Sequence, residues 1–446
     1  MGETGMVSRT IEQHGLSSFH KRLFLIGGSG YFFDALDVAS LSFVLPALAS
    51  LWHLSMTQTG AIGSSTFVGY FFGALTAGFS GDRHGRKRVM IAGLIIFCLG
   101  AFGCAASPDV TSFMLFRGIG GFGIGLESVI IAPYLTEFVP VRWRGRFAGG
   151  MAGFMSFGFL GAALAGYALV PQGANGWRIF TALCGLPIIL TWWWARALKE
   201  SPVWLESRGR TDEAADVLRT IYGSTVIVSQ PGAPDRSQLP LPPTHLLTPG
   251  NRMTLSRTCG IWFFFMFSYY AFFTWMPQLL VLNGVTLSNS IYYSIATFGA
   301  QIPGYFVAAW LNDKIGSHRV LTIYVTCAAA TCIGIALHPT IEAIRYGGMV
   351  LSFFLNGSNA AYYAFTPFVF PAALRARGAG LASSAGRIGA VIAPICMGAV
   401  YPLIGLRGIF LLIGAILFLA VLTVPARGAA MRTSGRIVAE TSAAPP

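Results

Sequence analysis

Twelve runs of roughly 20 mostly apolar residues follow one another along almost the whole chain. They lie at 22–50, 58–80, 88–106, 111–137, 146–170, 177–197, 258–282, 290–311, 319–337, 343–370, 378–400 and 403–425. A helix of about 20 residues rises about 30 Å, the thickness of bilayer hydrocarbon. Water in that layer cannot satisfy an open backbone, so each run is read as a helix. With 54% hydrophobic and 11% charged residues in 446, too little polar surface remains to solvate a globule. The expected fold class is an all-α membrane protein with twelve transmembrane helices.

The formal charge of +13 raises the question of nucleic acid, and the placement of the charge answers it. Lys and Arg gather at Lys21–Arg22, Arg83–Arg88, Arg142–Arg146, the Arg196–Arg257 connector, Lys314–Arg319, Arg375–Arg377 and from Arg427 onward. These are alternate loops, and the loops between them hold only Arg178, Arg345 and Arg407. The positive-inside rule puts both termini and the connector in the cytoplasm, with the chain in a cell (inner) membrane. A nucleic-acid partner would need one continuous basic face, so none is expected. The seven cysteines fall inside spans without disulfide or metal spacing, and neither a metal nor a cofactor is expected. The polar region before His20 does not have the shape of a cleavable signal.

The chain repeats itself. Gly78-Phe-Ser-Gly-Asp82-Arg83-His-Gly85-Arg86-Lys87-Arg88 is echoed by Ala309-Trp-Leu-Asn-Asp313-Lys-Ile-Gly316-Ser317-His-Arg319, at a constant offset of 231 positions. The same shift carries Pro140 to Pro371, Arg144 to Arg375 and Arg146 to Arg377. Two pseudo-symmetric six-helix halves are therefore expected. The boundaries are a cytoplasmic tail 1–21, a bundle 22–197, a cytoplasmic connector 198–257, a bundle 258–425 and a cytoplasmic tail 426–446.

Several charges stand inside spans. Asp34 and Asp37, spaced i, i+3, share one helix face in the middle of the first span. Span four holds Arg117 and Glu127, and span eleven holds Arg387. Each costs several kcal/mol at that depth unless paired, protonated or wetted. At about 1.5 Å per residue from the cytoplasmic ends, Asp34 lies roughly 16 Å deep, Asp37 21 Å, Glu127 15 Å and Arg117 30 Å. Asp34 and Glu127 are level, while Arg117 must reach down about 9 Å to meet Asp37. The acids inside spans all belong to the first half, so Arg387, roughly 14 Å deep, calls for an anion from elsewhere. Asp34 and Asp37 cannot both stay charged at low cost, which makes Asp34, Asp37, Arg117 and Glu127 the candidate proton-coupling group.

The pattern G-x-x-x-D-R-x-G-R-K at Gly78, Asp82, Arg83, Gly85, Arg86 and Lys87 resembles the loop motif of the major facilitator superfamily. R-x-x-x-G-x-G-x-G at Arg117, Gly121, Gly123 and Gly125 resembles its fourth-helix motif. Gly118, Gly120 and Gly123 spell a dinucleotide fingerprint by letter, but no strand precedes them. Glu200-Ser201-Pro202-Val-Trp204-Leu205, with Gly209-Arg210, Glu213-Ala214 and Val217-Leu218, resembles the signature that sugar porters share with organic-acid and niacin relatives. In span seven, Phe267-Ser268-Tyr269-Tyr270, with Phe273-Thr274-Trp275 and Pro277, looks like the niacin-transporter branch and lacks the Gln-rich pattern of sugar porters. Span five lacks the Gly-Pro element of drug/proton antiporters. Gly386-Arg387-Ile-Gly389-Ala390 resembles organic-acid and niacin carriers.

This resemblance implies a major facilitator fold that moves a small-molecule substrate, here an organic anion, with protons, as a monomer in the lipid bilayer. Its latch residues would be Gly78, Asp82, Arg83, Gly85, Arg86, Glu137 and Arg144, echoed by Asp313, Gly316 and Arg319. The second latch is expected to be weaker, with Ala309 and Ser317 off pattern and Phe368 where relatives carry Glu. Substrate-binding candidates are Arg387, Tyr269, Tyr270, Trp275, Asn359 and Tyr363, each aromatic serving equally well as helix packing. Thr211 is a candidate cap for a short helix from Asp212. A sugar porter, an exporter of small toxic compounds and a non-transporting sensor stand as rival readings. No catalytic residue is expected: the seven histidines lie outside the spans, and no nucleophile–base pair is visible inside them.

Overall fold

A computed structural model describes residues 6–223, 248–370 and 374–424. Its helices are α1 (Met6–Gln13), α2 (Ser18–Leu51), α3 (Met56–His84), α4 (Arg86–Ala106), α5 (Val110–Thr136), α6 (Val141–Leu169), α7 (Gly176–Cys184) and α8 (Ile188–Ala197). Then come α9 (Pro202–Ser207), α10 (Thr211–Tyr222), α11 (Pro249–Leu282), α12 (Leu287–Gly299), α13 (Gln301–Ile315), α14 (Ser317–Leu337), α15 (Ile341–Val369) and α16 (Arg375–Thr423). No strand interrupts them among the described residues.

Eight segments are long and apolar enough to cross a bilayer on length and composition. Helices α3 and α15, α12 and α13 in series, and the second limb of α16 supply the further lengths that a twelve-helix fold calls for. Bulky apolar side chains such as Phe72, Phe79, Ile189, Trp192 and Leu403 stand exposed on outer helix faces, as lipid-facing surfaces require.

Breaks inside the spans have local causes. The span expected at 177–197 is two helices, because Pro187 cannot donate to the Leu183 carbonyl. The span expected at 290–311 is divided at Ala300, where Pro303 cannot serve the Gly299 carbonyl. Spans eleven and twelve run on as α16, bent at Gly405 with φ 60°. Helix α10 begins at Thr211 itself, so Thr211 is not its cap; Arg210 holds that position. The linker run Ser229–Pro249 falls largely outside the described residues, as do Pro371, the C-terminal tail and the side chains of Phe368 and Arg375.

The chain forms two compact units: Met1–Leu54 with Ala61–Leu239, and Ser55–Gly60 with Pro240–Pro446. In the first, α2 packs on α6 and α4 on α5. The backbones of α5 and α3 touch where Gly121 lies against the Thr66 carbonyl, a gap with no room for a Cβ. In the second, α11 packs on α16, and α14 on both α15 and α16. The repeat is visible in the backbone: Gly85 (φ 96°, ψ 147°) ends α3 and caps α4, and Gly316 (φ 85°, ψ 144°) ends α13 and caps α14. Both sit in the positive-φ region that suits glycine.

Candidate functional site

Helices α2 and α5 carry the buried charges of the first unit. Arg117, 3% exposed, spends its guanidinium on three acceptors. Nη1 donates to Asp37 Oδ1 at 2.9 Å, Nη2 to the Asp37 carbonyl at 3.1 Å and Nε to Thr66 Oγ1 at 3.1 Å. The long Arg side chain closes the offset that counting backbone rises left open. Thr66, not singled out from the sequence, completes the arrangement; its only signal was a hydroxyl on an apolar helix.

Asp34 and Glu127 are buried as deeply, and none of their four carboxylate oxygens has a hydrogen-bond partner among the described residues. Glu127 reaches back over Gly30, one turn before Asp34. A Cβ on Gly30 would lie 2.6 Å from Glu127 Oε1 and 3.1 Å from the Trp194 ring. The charged groups acting on Asp34 are Glu127 and Asp37, both acidic.

At the end of α3, Asp82, Arg86 and Glu137 of the expected latch form one connected group with Ser201. Arg86 reaches Glu137 Oε1 at 3.0 Å and Asp82 Oδ1 at 3.6 Å, and Ser201 Oγ donates to Glu137 Oε2. Glu200 accepts from the backbone N–H groups of Arg86 and Lys87 at 2.9 and 3.1 Å, placing an anion on the N-terminus of α4. Gly85 makes room for it, since a Cβ there would collide with Glu200 Oε2. Trp204 Nε1 and Arg208 both donate to the Asp82 carbonyl. Arg144 Nε donates to the Val139 carbonyl at 3.0 Å, while Gly78 and Arg83 stand at the exposed edge. Burial holds the Glu137 carboxyl above the ordinary carboxylate range, with Ser201 and Arg86 opposing. In the second unit Asp313 and Arg319 are exposed beside Gly316.

The second unit gathers polar groups on α11, α13 and α15. Tyr269 donates to Gln301 Oε1 at 3.3 Å, Asn356 Nδ2 to the Gln301 carbonyl at 3.0 Å, and Asn359 Nδ2 to Asn356 Oδ1 at 3.5 Å. Gln301, which opens α13 at the Ala300 break, was missed in the sequence. Tyr270 stacks edge-on against Tyr269 at 5.2 Å. Arg387, half-buried, follows Gly386, whose missing side chain admits Trp262 of α11; exposed Tyr363 packs edge-on against the same Trp262 at 5.6 Å. Trp275 is fully buried, and its indole N–H is taken by the Pro394 carbonyl at 3.2 Å.

Long apolar helices with buried charges, together with the family match, define the class: a multi-pass membrane transporter of major facilitator type. The model of the sugar (and other) transporter family matches residues 26–427, and the chain belongs to that family. It is 35% identical to the niacin transporter NiaP of Acinetobacter baylyi, over 87% of this chain and 89% of that one. It is 30% identical to the putative niacin/nicotinamide transporter NiaP of Bacillus subtilis, over 85% and 88%. A gallate transporter of Pseudomonas putida is 28% identical, over 89% of each chain. The fold matches the partially occluded inward-open xylose transporter XylE of E. coli with a TM-score of 0.76, at 19% identity, over 91% of this chain and 98% of that one.

Proposed function

We propose that the chain is a proton-coupled importer of a small aromatic or pyridine carboxylate, working by alternating access. The observation that carries the reading is the buried group Asp34, Asp37, Arg117 and Glu127. Three acids and one guanidinium deep in a helical bundle are a costly arrangement, of the kind that marks proton relays. Relatives named for niacin and gallate support a carboxylate cargo. Arg387 takes the carboxylate as a planar two-pronged donor, and Tyr269, Tyr270, Asn359 and Tyr363 supply ring faces and hydrogen bonds. Trp275 sets the packing behind them. Gly78, Asp82, Arg83, Gly85, Arg86, Glu137 and Arg144, with Asp313, Gly316 and Arg319, govern the opening cycle. The protein acts as a monomer in an inner membrane, with both termini cytoplasmic.

The test is uptake by the purified chain in liposomes of labelled nicotinate, benzoate, nicotinamide and a hexose, with and without an inward proton gradient. Gradient-driven nicotinate or benzoate uptake that ignores hexose supports the reading. Hexose uptake alone, outward flux alone, or binding without flux would replace it with a sugar porter, an exporter or a sensor. Arg387→Lys should raise the KM for carboxylates while sparing the amide nicotinamide; unchanged carboxylate affinity rules out two-pronged recognition.

A further inference from the structure

We infer that the coupling proton is held between Asp34 and Glu127, and that Asp37 serves as the permanent counter-ion of Arg117. This rests on the proton-coupled reading above and divides labour within its acid group. Arg117 donates twice to Asp37 and once to Thr66, and none of these three bonds reaches Asp34 or Glu127. Asp37 is thus already neutralised. The other two carboxyls keep all four oxygens buried without a hydrogen-bond partner among the described residues.

Among the described residues the charged groups acting on Asp34 are Glu127 and Asp37, both acidic, and Asp37 is already committed to Arg117. Helix α4 contributes the Cys98 thiol and α8 the Trp194 ring over Gly30. Helix α6 contributes Met151 and Phe154 against Gly27 and Gly28, and α7 the Cys184 thiol on the Asp37 side. Two anionic carboxylates in such a setting repel each other and lose their hydration. One proton removes most of that cost: it forms an O–H bond on one carboxyl and leaves a single anion. Its loss breaks that bond and restores two buried anions, so the buried arrangement favours the loaded pair.

The proposal is tested on the full chain in liposomes with nicotinate as probe, using Asp34→Asn, Glu127→Gln and the double variant Asp37→Asn/Arg117→Gln, which removes the ion pair as a unit. Two transport readouts are taken, accumulation under a proton gradient and counterflow without one, together with an infrared measurement of the protonated-carboxyl C=O band without substrate. Asp34→Asn and Glu127→Gln should drop accumulation to the level reached without a gradient while counterflow persists at a reduced rate. The infrared band should be present in wild type at neutral pH, be lost in Asp34→Asn and Glu127→Gln, and survive in Asp37→Asn/Arg117→Gln. A band that survives in Glu127→Gln but vanishes with Asp37 overturns the assignment. So does gradient-driven accumulation by Glu127→Gln, or a sodium gradient replacing the proton gradient. If wild type moves no nicotinate under any gradient, the transport reading fails, and the infrared band still decides where the proton sits.

Discussion

Asp37 and Arg117 stabilise each other only together. Asp37→Asn strands a guanidinium that is 3% exposed, a change that costs about 3–5 kcal/mol. The expected result is a sharp fall in thermal unfolding temperature in detergent, with much of it recovered in Asp37→Asn/Arg117→Gln; a single variant as stable as wild type would contradict the pairing. Gly30 sets a second constraint, because a methyl there would stand 2.6 Å from Glu127 Oε1 and 2.7 Å from Ile131 Cδ1. Gly30→Ala should cost about 1–3 kcal/mol by overpacking and remove gradient-driven accumulation, measured by unfolding and uptake. The need for Asp37 and Arg117 to meet was legible from the sequence, since acids and a cation stood alone in apolar runs. Thr66 and Gln301 were not, because a hydroxyl or an amide on an apolar helix looks alike whether it bonds across to a neighbour or to its own backbone.

Two helix junctions follow one backbone plan, and Glu200 is seated on the first. Gly85→Ala should cost about 1–2 kcal/mol for its positive φ and more for displacing Glu200. Unfolding midpoints should show that extra loss shrink in a Glu200→Ala background, and an unchanged loss would deny Glu200 a role. Glu137 adds a pH signature. Its folded-state carboxyl is raised above the ordinary 4.5, so the stability it contributes is complete below 4.5 and is lost as pH rises through the folded value. Relative to Glu137→Gln, wild type should therefore gain unfolding temperature on acidification from neutral pH toward 4.5. The constant offset of 231 announced both junctions. The breaks at Ala300 and Pro187 went unread because a proline lowers helix continuity without saying whether a span kinks or divides.

For the molecule as a whole, apolar runs and alternating basic loops, more than any single residue, carry the expectation of how many crossings there are and which way they run. In a cysteine-free background, cysteines at Gln172 and Thr340 should react with a membrane-impermeant thiol reagent from outside intact cells, and one at Arg208 should not. Labelling at Arg208 from outside would invert the topology. The fold class was legible because hydropathy acts over whole segments. The polar cluster was legible in part: Tyr269 and Asn359 stood out, but Gln301 did not, because its place depends on which faces of α11, α13 and α15 turn toward one another, and periodicity in an all-apolar helix does not encode that.

Glu200, Ser201, Trp204 and Arg208 lie beyond the last crossing of the first unit, yet they grip the turn between α3 and α4. Helix α9 is thus bolted to the turn it grips. A pull on α9 would be delivered to the base of the α3–α4 pair as a mechanical load, as a rope made fast to a cleat pulls on the deck and not on its own slack.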